Sequence, residues 1–185
     1  MTALARIVAL GALAACAQPA RPKAPADHVR AEIQQAEDAE RGRRHDVART
    51  HYQAAVASAK DPPSIAFARR EYAETLISWG EIAEAIAQLE GAVAAQPDDA
   101  AAWHDLGILR HNQGDDLRAL DALEHAEKAS PRDPRPRIAL AALRWSRGDR
   151  DGATREYRAL LELDLPDRVR DKVKWALTQL AKPPS

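Results

Sequence analysis

Histidine is the side chain best able to hold a metal or pass a proton near neutral pH, and this sequence has six. His104 and His111 stand seven residues apart in one helical segment. That spacing is a rise of about 10.5 Å, too far to share one ion unaided. No His-Glu-x-x-His run occurs, and His45 and His51 straddle a turn signal and are no better placed. The acidic pairs Asp98-Asp99 and Asp115-Asp116 fall where helices should start. Aspartate there stabilises the positive end of a helix and is poorly placed for acid–base work. No glycine-rich phosphate loop and no Gly-x-Ser-x-Gly elbow is present, and the one thiol is Cys16. The expectation is no enzyme, no metal ligand and no cofactor.

The elements that would carry any site follow from composition. The chain has 185 residues, 30% of them charged, and a formal net charge of −1. That balance provides no basic footprint for nucleic acid, and no small-molecule substrate is expected. Alanine is used heavily, aromatics make up 4%, and 12 prolines punctuate the chain. Such a composition favours helices separated by stops over sheets. A single cysteine leaves no internal disulfide framework and no cysteine zinc site.

Residues 1–15 have the form of an export signal. Arg6 supplies the positive start, and Ile7 to Leu13 is a short apolar core, well under the 18 or so residues of a membrane span. Leu13-Ala14-Ala15-Cys16 resembles the lipobox of bacterial lipoproteins. The resemblance implies cleavage before Cys16 and acylation of that cysteine; an ordinary cleaved signal is the alternative. Ala17 follows in place of aspartate, which by resemblance to enterobacterial sorting implies the outer membrane, facing the periplasm. Multiple acyl chains would anchor the protein, where one chain of myristoyl length binds only marginally. The segment to Asp27, with prolines at 19, 22 and 25, is a tether. In extended polyproline-like form it reaches roughly 30 Å.

Shifting the chain by 34 residues superimposes Gly80, Gly114 and Gly148, then Ala85, Ala119 and Ala153, then Leu89, Leu123 and Tyr157. Pro97 and Pro131 also match, with Pro166 one place late. Trp103, Leu106, Gly107, Gly114, Ala119, Leu123, Ala126 and Pro131 make the middle copy resemble a tetratricopeptide repeat, with Arg110 in place of the tyrosine. Arg69 and Arg137 stand where Trp103 stands, and Ala73 and Ala141 stand for Gly107. The glycines should end helices in the left-handed conformation, and the alanines should let paired helices approach. Ala36, Ala48, Tyr52 and Ala55 mark a degenerate first copy whose turn is Gly42-Arg43. Arg168 to Leu180 should close the array, with Val169, Val173, Trp175, Ala176, Leu177 and Leu180 as its apolar stripe and Arg168, Arg170, Lys172 and Lys174 largely opposite. The fold expected is all-α, a short right-handed α-solenoid of helix pairs with a C-terminal capping helix. The segments are 1–15 signal, 16–27 lipidated cysteine and tether, 28–65 degenerate pair, repeats at 66–99, 100–133 and 134–167, and 168–185 cap and tail.

The resemblance also implies where a partner sits. In this family the first helix of each repeat lines a concave groove, through positions that map to Phe67, Arg70, Glu74, Ile77 and Ser78. In the next copy they are Ala101, His104, Ile108, His111 and Asn112, and in the last Arg135, Ile138, Ala142, Trp145 and Ser146. That mixture suits an extended peptide or an amphipathic helix. Arg70, Glu74 and His104 can equally be plain solvated positions, and Trp145 can pack beneath the closing helix beside Trp175; Trp79 and Trp103 are core by register. The lysines and asparagines of the family's carboxylate clamp are absent. The whole resembles tetratricopeptide lipoproteins of type IV pilus and secretin assembly. It implies a lipid-anchored scaffold that binds a partner protein, or alternatively a permanent structural subunit of an outer-membrane complex.

Overall fold

A computed structural model describes residues 25–183; the expected signal, Cys16 and most of the tether lie outside them. Among the described residues the chain forms nine helices and no strand: α1 (Asp27–Arg41), α2 (His45–Ser58), α3 (Pro62–Trp79), α4 (Ile82–Ala95), α5 (Ala100–Asn112), α6 (Asp116–Ala129), α7 (Pro134–Ser146), α8 (Arg150–Leu161) and α9 (Asp167–Leu180). The first eight form four helix pairs, α1/α2 to α7/α8, and each second helix packs on the first helix of the next pair. The architecture is an all-α solenoid.

Backbone chemistry explains the pairing. Gly80, Gly114 and Gly148 have φ of +80°, +80° and +82°, a region open to glycine at little cost. The amide after each reaches back to a carbonyl of the last turn: Glu81 to Leu76, Asp115 to Arg110 and Asp149 to Arg144, each at 2.9 Å. That bond satisfies an otherwise orphaned acceptor and turns the chain sharply. The first pair makes the same bond, Arg44 to Ala39 at 2.9 Å. There the left-handed residue is Arg43, at φ +56°, and Gly42 stays at φ −81°. Asp61, Asp99, Asp115, Asp133 and Asp149 each accept a backbone amide at the start of the following helix. Each such cap contributes about 1 kcal/mol.

Small residues set the approach of the helices within a pair. A Cβ on Gly107 would come within 2.7 Å of Leu123 and 3.2 Å of the Ala119 carbonyl. Ala73, Ala85, Ala119, Ala141 and Ala153 are fully buried. Tyr52, Leu89, Leu123 and Tyr157 are buried at the matching place on each second helix.

Several residues depart from expectation. α3 begins at Pro62, so a boundary at 65/66 cuts its first turn, and Asp27 belongs to α1 and not to the tether. Trp79 and Trp103 are half-buried at the edge of the core. The Trp103 indole must satisfy its N–H, which donates to the Pro97 carbonyl at 2.9 Å, and its ring lies on His125. Trp79 ends α3 and meets His45 at a tilt with centroids 5.0 Å apart, beneath the Arg49 guanidinium. Trp175 is 61% exposed, because the buried stripe of α9 runs through Val173, Ala176 and Leu180, at i, i+3 and i+7. Arg170 is not on the solvated face: its guanidinium folds back to the carbonyls of Leu161 and Leu165.

Candidate partner-binding groove

The first helices of successive pairs stand side by side, and the clefts between them are floored by the second helices. Three such clefts are open among the described residues. Between α1 and α3 lies one of about 270 Å³ with Tyr52 as floor and Glu37, Glu40, Glu71, Glu74, Thr75 and Ser78 around it. Between α5 and α7 lies one of about 320 Å³, with Leu123 as floor and Ile108, His111, Ala139, Ala142, Leu143 and Ser146 around it. Between α7 and α9 lies one of about 510 Å³, with Tyr157 as floor. Ile138, Trp145, Val169, Val173 and Trp175 line it, and Lys172 stands at its rim.

The residues singled out from the sequence are distributed as follows. Arg70 is half-buried and pairs with Asp99 at 3.4 Å and Glu71 at 3.6 Å. Glu74 is exposed in the first cleft, whereas Ile77 and Phe67 pack against the core. His104 bonds Asp105 at 2.9 Å, and exposed His111 bonds Asp116 at 2.8 Å, so the two imidazoles have separate partners. Among the described residues no group of three His, Cys, Asp or Glu side chains is arranged to hold a metal ion. Ile108 is half-buried and Ala142 exposed in the second cleft. Ile138 and Trp145 enter the third, while Arg135 is exposed and folded onto Asp133 at 2.6 Å. Trp145 does both things asked of it. Its ring meets Tyr157 edge-on and Trp175 at a tilt, each at 6.3 Å, and it still faces the cleft.

Electrostatics divide the groove. In the first cleft Glu40 is held by the hydroxyl of Thr75 at 3.1 Å, and that of Tyr52 lies 3.5 Å away. Burial, then Glu74, push the Glu71 carboxyl above its usual range; Arg70 opposes them and Glu37 adds to the rise. Burial also pushes the Tyr52 hydroxyl up to about 12. Toward the other end, hydrogen bonds from His111 and Arg147 hold Asp116 below the usual carboxylate range, and one from Arg135 does so for Asp133.

Sequence reasoning missed Glu37, Glu40, Glu71 and Thr75 at one end, and Val169, Lys172 and Val173 at the other. The signal was available in the repeat. The groove column Glu74, Ile108, Ala142 extends back to Glu37 across the insertion, and the column Arg70, His104, Ile138 extends forward to Lys172.

No family model matches the chain, and no curated protein matches it. Solved structures do. A crystal structure of MamA aligns over 83% of this chain and 80% of its own length, at 16% identity and a TM-score of 0.68. The pilF protein of Pseudomonas aeruginosa aligns over 82% of this chain and 72% of its own, at 15% identity and a TM-score of 0.63. The first tetratricopeptide domain of Spaghetti (RPAP3), bound to the HSP90 peptide SRMEEVD, aligns over 63% of this chain and 94% of its own, at 16% identity and a TM-score of 0.56. At such identities the likeness is one of fold, and the fold is the tetratricopeptide α-solenoid.

Proposed function

We propose that this tetratricopeptide solenoid is a lipid-anchored scaffold facing the periplasm, which holds a segment of a partner protein in its concave groove while an envelope complex assembles. The observation that carries the reading is the row of three clefts between α1, α3, α5, α7 and α9, open on one face of a packed array. Main-chain regularity fixes the geometry of that face, and some side chains on it, Glu74 and Ala142 among them, are exposed and free of the core. A similar domain, that of Spaghetti, is seen with a peptide bound. The anchor rests on Leu13-Ala14-Ala15-Cys16 and on the proline-bearing tether after it. Pilus or secretin assembly is the envelope process that the sequence pattern resembles, and pilF shares the fold.

The test is site-specific photo-crosslinking in the native host, with mass spectrometry of the protein's N-terminus. A crosslinker at Ala142 should capture one discrete partner, and one at exposed Leu117, away from the clefts, should not. The N-terminal peptide should begin at an acylated Cys16. Equal capture from Leu117 would move the binding face. An unmodified N-terminus beyond Cys16 would remove the anchor.

A further inference from the structure

The groove has a direction. Position by position, the column facing it reads Glu37, Glu74, Ile108, Ala142 and then Ala176. Its first cleft gathers four carboxylates. Arg70, the nearby cation, is already engaged by Glu71 and Asp99. Glu74 is exposed and has no hydrogen bond among the described residues. The upward displacement of Glu71 has the same origin: a half-buried acid crowded by other acids. At the opposite end, the cleft of about 510 Å³ is walled by Ile138, Trp145, Val169, Val173 and Trp175, with a lysine at its mouth. Trp175 leaves 61% of its surface in water there. An apolar slot beside a cation and a polar slot ringed by anions lie on one face of one array.

We infer that the groove takes a bipolar segment of its partner, with cationic side chains in the α1/α3 cleft and a bulky apolar anchor, flanked by a carboxylate, in the α7/α9 cleft. The inference rests on the groove being the binding surface, as proposed above, and specifies what it binds. Charge complementarity sets the direction: lysine or arginine relieves the crowded glutamates, and a carboxylate meets Lys172. The anchor covers Trp145 and Trp175, large aromatic faces of the kind that dominate binding energy. Three helix spacings separate the two clefts, on the order of 25–30 Å, which an extended segment of about nine residues spans. An acidic tail of the SRMEEVD kind would meet Glu37 and Glu74, and is the ligand this groove disfavours.

Synthetic peptides of twelve residues test this on the full chain, purified in detergent. One set carries three lysines at one end and a tryptophan next to an aspartate at the other, in both chain directions. A second set has every charge inverted. Fluorescence anisotropy at low and physiological salt gives the affinities, and circular dichroism confirms that each variant folds. The better lysine peptide should bind at least tenfold tighter than its inverted counterpart, with an advantage that shrinks as salt rises. Replacing both Glu37→Gln and Glu74→Gln should remove that advantage, and Trp175→Ala should weaken every peptide. Equal affinity for the two charge patterns, or a preference untouched by the glutamine pair, overturns the polarity. If binding is then still abolished by Ile108→Asp, the groove reading stands without it. If no peptide binds, or Ile108→Asp leaves binding intact, the groove reading falls as well.

Discussion

In the cleft between α1 and α3 the floor is Tyr52 and the walls are glutamates. In the cleft between α7 and α9 the floor is Tyr157, from the same place in the repeat, and the walls are Ile138, Trp145 and Val173. The backbones that build the two clefts are alike, down to the same turn bond closing each helix pair. Helix packing therefore determines which positions face the groove and is indifferent to what stands there. The alanines between paired helices, by contrast, are buried all along the array. Chemistry has been free to change on the groove column and has been held constant on the packing column.

The largest effect should come from breaking that division directly. Ala119→Glu would bury a carboxylate where α5 meets α6, with no partner, at a cost of more than about 4 kcal/mol. Ala142→Glu, exposed in the middle cleft, should change stability by no more than about 0.5 kcal/mol. Denaturant melts of the two variants measure the contrast, and comparable losses would erase the distinction between packing and groove columns. Ile108→Asp falls between them: Ile108 is half-buried against the Ala119, Leu123, Leu140 and Leu143 cluster, so a loss of about 1–2 kcal/mol is expected.

Removal of 168–185 tests the apolar end. Val173 and Leu180 would no longer cover the last core cluster, which costs about 4 kcal/mol and leaves Tyr157 and Leu160 open to association. Sedimentation and thermal melting should both change; a truncated chain that melts like the whole one shows α9 to be no cap. At the opposite end, Arg43→Gly should stabilise the first pair by about 1 kcal/mol, since an arginine at φ +56° pays a steric cost that glycine does not. A lower melting temperature for that variant would mean the Arg43 side chain contributes more than its backbone costs.

The smallest effect is a difference in sign under mild acid. Glu71 has a raised carboxyl pKa, so the folded state binds its proton first, and this residue's contribution to stability grows as pH falls through that raised value toward its unfolded one. Asp116, Asp133 and Asp149 are lowered, so their contributions are present above the unfolded aspartate pKa and are lost as pH falls through the folded values. Carboxyl chemical shifts followed by NMR should show Glu71 titrating above the ordinary glutamate range and the three aspartates below theirs. Glu71→Gln should abolish the first response alone.

Much of this molecule was legible because a helical hairpin needs particular residues at particular spacings. A left-handed turn calls for Gly80, Gly114 and Gly148, close helix approach calls for Gly107 and the buried alanines, and helix starts call for aspartate. These are local demands, and from Ala73 onward they leave residue types at a fixed interval of 34. The sequence by itself thus determined the helix pairs, their phase and the single helix that follows them. It also showed the absence of a patterned catalytic or metal motif.

What only the tertiary structure decided concerns residues whose surroundings come from other helices. Trp175 looks apolar in the α9 pattern and is exposed, because burial depends on which arc of α9 meets α8. Arg43 takes a glycine's place, at φ +56°, in a turn that still closes with the bond from the Arg44 amide to the Ala39 carbonyl. Glu40 and Glu71 stand on different helices and off the column that carries Glu37 and Glu74, and nothing in either neighbourhood announces that they share a cleft. Proximity across α1, α3 and their floor is a property of packing, and the charge that results belongs to the assembled groove and to no single segment.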